Sequence, residues 1–208
     1  TDDVIHSLTS RAKDTMDDFT PREIHLSLGG LVRLGAVDKV DSSFYTRMVE
    51  HIETSHELKW YPWALSMTLL AMSNIPVKVS EIFCNTMTER AMGIQSDYEH
   101  KDIAQLLLAM SHLNLECYQR LLGTFGHNLL TCMPELNGKS ACAVLQSLVV
   151  LQESSRDGFS SGDAIERLVL GAIVDRMNEI KMLLNQEEKI CISEAFGKLG
   201  VNDSHAIL

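Results

Sequence analysis

Apolar residues along this chain recur at steps of three and four, and nowhere do apolar and polar positions alternate by two for long. The first spacing puts apolar side chains on one face of a helix, and the second would mark a strand. The pattern predicts an all-α protein. Ile24, Leu28, Leu31 and Val32 form one such face. Its start is announced by Thr20-Pro21-Arg22-Glu23, in which Thr caps, Pro takes the first helical position and Glu reaches back from three residues on. Gly35 supplies a stop. A partner helix begins near Asp41-Ser42-Ser43 and carries Phe44, Tyr45, Met48, Val49 and Ile52.

This helix pair repeats. Leu31-Val32-Arg33-Leu34-Gly35, Leu69-Leu70-Ala71-Met72-Ser73, Leu107-Leu108-Ala109-Met110-Ser111, Leu148-Val149-Val150-Leu151-Gln152 and Phe196-Gly197-Lys198-Leu199-Gly200 share an apolar helical run that ends in a small or polar residue. Successive strings lie 38, 38, 41 and 48 residues apart. The 38-residue offset also aligns Tyr45 with Phe83 and Leu121, and Val49 with Met87 and Phe125. The expected architecture is a right-handed αα solenoid of about five two-helix repeats with a period of about 38 residues. Its units are 20–58, 59–97, 98–136, 137–184 and 185–208, within one repeat domain. Residues 1–19 read as the second helix of a preceding unit, so the chain reads as a fragment of a longer one.

The pattern carries further expectations. Leu70, Met72, Leu108 and Met110 should be buried between neighbouring helices. Residues 153–162 should form an exposed connection inside the fourth unit. Apolar surface should remain uncovered at both ends, on Val4, Ile5, Leu8, Ala12 and Met16 and on Ile192, Ala195 and Phe196.

Composition narrows the function. Lys and Arg total 18 against 28 Asp and Glu, a net charge of −10, which is a poor field for wrapping a phosphate backbone. No stretch approaches 18 uncharged apolar residues, so no membrane span is expected. Five widely spaced cysteines without a C-x-x-C read as reduced, mostly buried thiols rather than a disulfide framework. The sequon Asn202-Asp203-Ser204 is then incidental. The chain opens at Thr1 with no signal-like segment.

Two strings imitate catalytic motifs. Gly158-Phe159-Ser160-Ser161-Gly162 fits G-x-S-x-G, but a nucleophile elbow needs a strand before the serine, and here a helix precedes it. Asn137-Gly138-Lys139-Ser140 resembles the end of a phosphate loop, yet Met133 stands where that loop needs glycine, so a helix cap by Asn137 or Ser140 is the simpler reading. The eight histidines form no H-E-x-x-H, and none has a cysteine at ligand spacing. The residues give no catalytic, cofactor-binding or metal-binding assignment and no small-molecule substrate. Trp60-Tyr61-Pro62-Trp63 sets three aromatics at a helix start, either as wedges against the previous unit or as a platform for a base or partner protein.

The strings Ile103-Ala104-Gln105-Leu106-Leu107-Leu108-Ala109-Met110-Ser111, and those ending at Ser73 and Gly35, resemble the helical-repeat proteins of organelle RNA metabolism. These are the heptatricopeptide and octotricopeptide repeats and the related FAST-kinase-like and RAP-domain proteins. The resemblance implies a mitochondrial location and a place in an RNA-processing or editing assembly. The acidic balance favours a non-catalytic scaffold that docks other protein subunits of such a complex. Direct single-stranded RNA binding is the alternative, with Arg22, Arg33, Trp60, Trp63 and Lys101 as candidate contacts.

Overall fold

A computed structural model describes residues 2–154 and 164–201. Among these residues the chain is all-helical, with ten α-helices and no strand. They are α1 (Asp2–Asp14), α2 (Pro21–Arg33), α3 (Ser42–Thr54), α4 (Pro62–Ser73), α5 (Glu81–Gly93), α6 (His100–Leu113), α7 (Leu115–Thr131), α8 (Gly138–Ser154), α9 (Ala164–Ile180) and α10 (Gln186–Lys198). The connection expected at 153–162 begins later, because α8 runs on through Glu153 and Ser154. Its remainder, the G-x-S-x-G string, the sequon and the segment beyond Val201 lie outside the described residues.

The starts of the helices follow the caps written in the sequence. Thr20 and Glu23 form the expected reciprocal box, Thr20 N–H donating to Glu23 Oε2 at 2.8 Å, and Asn185 with Glu188 forms a second. Asp41, Ser80, Asn114 and Asn137 each accept a hydrogen bond from the backbone N–H of the first turn that follows. Pro21 and Pro62 take first helical positions, where no amide hydrogen is needed.

The ends explain why each repeated string closes on a small or polar residue. Gly35 and Gly200 adopt left-handed backbone, with φ of 58° and 71°. That bend lets Ala36 N–H reach Leu31 O and Val201 N–H reach Phe196 O, both at 2.9 Å, closing the helices with a six-to-one hydrogen bond. In the middle repeats serine stands in the glycine's place. Ser73 donates its hydroxyl to Leu70 O and Ser111 donates to Leu108 O, at 2.9 and 2.8 Å.

The chain divides into two compact units, Thr1–Asp97 and Tyr98–Leu208. Within the first unit α2 packs on α4, while α1 packs on α3 and α3 on α5. Within the second, α6 packs on α8 and α8 on α10, while α7 packs on α9. In each unit every helix thus lies against the next but one, in two layers. The contact is carried by the first and fourth positions of the repeated string. Leu69 and Met72, and Leu107 and Met110, have no exposed surface, and Leu148 and Leu151 are buried.

Leu70 and Leu108 depart from expectation and are only half-buried. Helical residues turn by about 100° each, so the second leucine of the string falls beside the seam and not on it. At the carboxy-terminal end Ile192, Ala195 and Phe196, expected to be uncovered, are buried, because α10 turns that face onto α8. At the amino-terminal end Val4 and Leu8 are exposed as expected, whereas Met16 is fully buried.

Leu107→Ala should cost about 2–5 kcal/mol in a denaturant titration, the range for an emptied core site. Leu108→Ala, its half-buried neighbour, should cost only about 1 kcal/mol. Two glycines of α7 give a sharper contrast. A Cβ at Gly126 would sit 2.5 Å from Ile165 Cγ1, whereas at Gly123 it would meet open space. Gly123→Ala should raise stability by about 0.5–1 kcal/mol through helix propensity alone. Gly126→Ala should lower it by about 1 kcal/mol, because overpacking outweighs that gain.

Candidate partner-binding surface

Helix α2 carries Arg22, Leu26, Gly29 and Arg33 at steps of four, three and four, which places them along one stripe. Arg22, Leu26 and Arg33 are exposed. Gly29 lies beneath its neighbours: a Cβ there would meet the His25 ring at 3.5 Å and the Arg33 guanidinium at 3.8 Å. His25 is buried and stands edge-on to Trp63 of α4, with ring centroids 5.3 Å apart and planes at 87°. His25 and Trp63 are 38 residues apart, and this ring contact joins α2 to α4. Trp63 keeps 40% of its surface in solvent. Arg33, His25 and Trp63 therefore form one patch of the first unit.

The other candidates go elsewhere. Trp60 is buried, with the guanidinium of Arg90 5.8 Å from its ring centroid. Arg90 also donates to Ser55 O at 3.0 Å, and burial lowers its pKa. Trp60 is thus buried beside Arg90 of α5, and Trp63 is the exposed half of the pair. Lys101, in the first turn of α6, is tied to Glu99 at 2.8 Å.

Several other cations share that fate. Lys39 meets Asp2 and Arg47 meets Asp17 at 2.8 Å, Lys198 meets Glu153 at 2.9 Å, and Arg176 meets Glu179 at 3.1 Å. Each exposed pair contributes about 0–1 kcal/mol to stability, so the pairing matters chiefly for the surface field it cancels. No family model matches the chain, and no curated protein is similar to it.

An apolar cleft of about 210 Å³ lies in the first unit and was not anticipated as a site. Leu8 and Ala12 of α1, Gly30, Leu31 and Leu34 at the end of α2, and Phe44 of α3 line it. Leu34 is 75% exposed, although its counterparts Met72 and Met110 are fully buried. The sequence signal for this cleft was the exposed-end stripe on Val4 and Leu8. Leu34 itself gave none, because its apolar character matches a buried repeat position.

Burial, and secondarily the charge of Arg33, lowers the His25 pKa below its ordinary 6.5. The folded chain then takes up this proton less readily than the unfolded chain, so stability is complete above pH 6.5 and falls as the pH drops below it. In melting experiments between pH 8 and pH 5, His25→Gln should lose less stability on acidification than the wild type. Parallel curves for the two proteins would show that His25 makes no such contribution.

Proposed function

We propose that this chain is a non-catalytic helical-repeat scaffold, a right-handed αα solenoid of about five helix pairs that holds other protein subunits of an RNA-handling assembly. The mitochondrial setting and the link to RNA processing or editing rest on the resemblance carried by Ile103–Ser111 and its matching strings. Support for the solenoid comes from the two-layer, next-but-one stacking inside each unit, with 38 residues between the strings of α2 and α4 and 41 between those of α6 and α8. One observation carries the preference for protein partners over RNA. Lys39, Arg47, Lys101 and Lys198 are each paired with a carboxylate, and the net charge is −10. The exposed apolar side chains Val4, Leu8 and Leu34 suit a protein surface better than a nucleic acid.

Direct binding of single-stranded RNA is the second reading, and one patch favours it. Trp63 offers a half-exposed indole, and Arg22 and Arg33 share a stripe on the helix beside it. Stacking on such a ring contributes about 1–3 kcal/mol per base where it occurs.

Binding of fluorescent single-stranded RNA between 50 and 300 mM salt separates the readings. A scaffold should bind weakly, with an affinity almost independent of salt and unchanged by Trp63→Ala or Arg33→Glu. A log–log slope of about −2 or steeper corresponds to three phosphates contacted on a single strand. Such a slope, reduced by Arg33→Glu, would replace the scaffold reading with RNA binding.

A further inference from the structure

Helix α8 lies on α10 in a constant register. A Cβ on Gly138 would come within 2.6 Å of Leu184 Cδ2 and of the Glu188 carboxyl carbon, so only glycine admits this approach. Further along, the Cys142 thiol points at Glu188 O, 3.8 Å away, and the side-chain amide of Gln146 donates to Cys191 Sγ at 3.5 Å. Lys198 closes the series on Glu153 at 2.9 Å. Each partner lies 45 or 46 positions from the other. Glu188 is one turn before Cys191 and Gln146 one turn after Cys142, so each sulfur touches the residue one turn from the opposing cysteine. The register therefore brings the two thiols together diagonally across the seam.

The pair is accessible. Both cysteines are free and only partly buried. Cys191 opens into a cleft of about 390 Å³, lined also by His112, Gln146, Val149, Glu194 and Lys198. We propose that Cys191 and Cys142 form a dithiol that exchanges with small-molecule disulfides of the glutathione class, Cys191 attacking first and Cys142 resolving, to leave a reversible bridge between α8 and α10.

The two sulfurs are suited to different steps. The neighbouring Cys142 and the Gln146 amide, which donates to Cys191, hold the Cys191 pKa below its ordinary 9.0. Cys142 is shifted the other way, first by the neighbouring Cys191 and then by burial, and keeps its proton while Cys191 is a thiolate. A thiolate, not a thiol, is the nucleophile, so Cys191 is the attacking group near neutral pH. In the first step the Cys191 thiolate bonds to one sulfur of the reagent, the reagent's S–S bond breaks, and one small thiolate leaves. In the second, Cys191 is no longer a thiolate, so Cys142 gives its proton to solvent, its thiolate bonds to the Cys191 sulfur, the mixed disulfide breaks, and the second small thiolate leaves and takes up a proton. Overall, two protein thiols are oxidised to one disulfide while one small-molecule disulfide is reduced to two thiols. The cleft gives one arm of the reagent room beside Cys191, whereas Cys142 does not line it.

The experiment equilibrates the protein in buffers of graded reduced-to-oxidised glutathione ratio, alkylates the remaining thiols and maps the peptides by mass. The wild type should yield a crosslinked peptide pair containing Cys142 and Cys191, which disappears as the buffer becomes more reducing. Cys142→Ser should stop at a mixed disulfide carrying one glutathione on Cys191. Cys191→Ser should leave Cys142 free at ratios that convert the wild type. The wild-type measurement needs no variant to fold. The proposal is overturned if both wild-type thiols stay open to alkylation at every ratio, if the wild type stops at stable glutathionylation, or if Cys142 is modified as readily in Cys191→Ser as Cys191 is in Cys142→Ser.

Discussion

Burial of the first and fourth residues of the strings Leu69–Ser73, Leu107–Ser111 and Leu148–Gln152 against a neighbouring helix of the same layer is the interaction on which the rest of the fold depends. Leu69 with Met72, Leu107 with Met110 and Leu148 with Leu151 occupy these positions. A fully buried side chain of this kind contributes about 1.5–3 kcal/mol, against about 0–1 kcal/mol for an exposed ion pair such as Arg47–Asp17. Packing therefore decides where the helices lie, and charge decorates the result. The caps are consistent with that order. They fix where each helix starts and stops, so the apolar pair arrives at the right height for its neighbour.

Close packing also controls which polar groups are left for function. In the second unit Tyr118 and Ser147 meet at 3.3 Å with neither exposed, and burial drives the tyrosine's pKa up, so this contact serves the core. On the surface, Lys39, Arg47, Lys101, Arg176 and Lys198 answer nearby carboxylates. Apolar and aromatic groups also stay open: Leu8 and Leu34 beside one cleft, and Trp63 edge-on to His25. These groups recognise shape and apolar area more than charge, which is the physical content of the scaffold reading.

The seam between α8 and α10 shows how a packing requirement can create chemistry. Two helices approach this closely only over small side chains, here Gly138, Cys142 and Ala195. Cysteine is small enough to serve, and one on each helix brings two thiols together. Neither sits in a sequence motif, since 49 residues separate them. Their relation comes from the register of two helices that are not adjacent in the chain.

The sequence by itself determined the all-helical class, the capping residues and the stops at Gly35 and Gly200, because these depend on interactions within a few residues of one another. It also marked Met72 and Met110 as core, since helical spacing alone identifies one apolar face. It misplaced Leu70 and Leu108, because a leucine adjoining that face is as apolar as one on it and only the neighbouring helix defines the edge. It could not separate Trp60 from Trp63, as that depended on Arg90 closing over one ring and His25 meeting the other. Tertiary structure alone decided that α10 buries Ile192 and Phe196, that Leu34 stays uncovered, and that Cys142 meets Cys191. Each depends on which surfaces meet across long sequence separations, and local periodicity does not encode those distances.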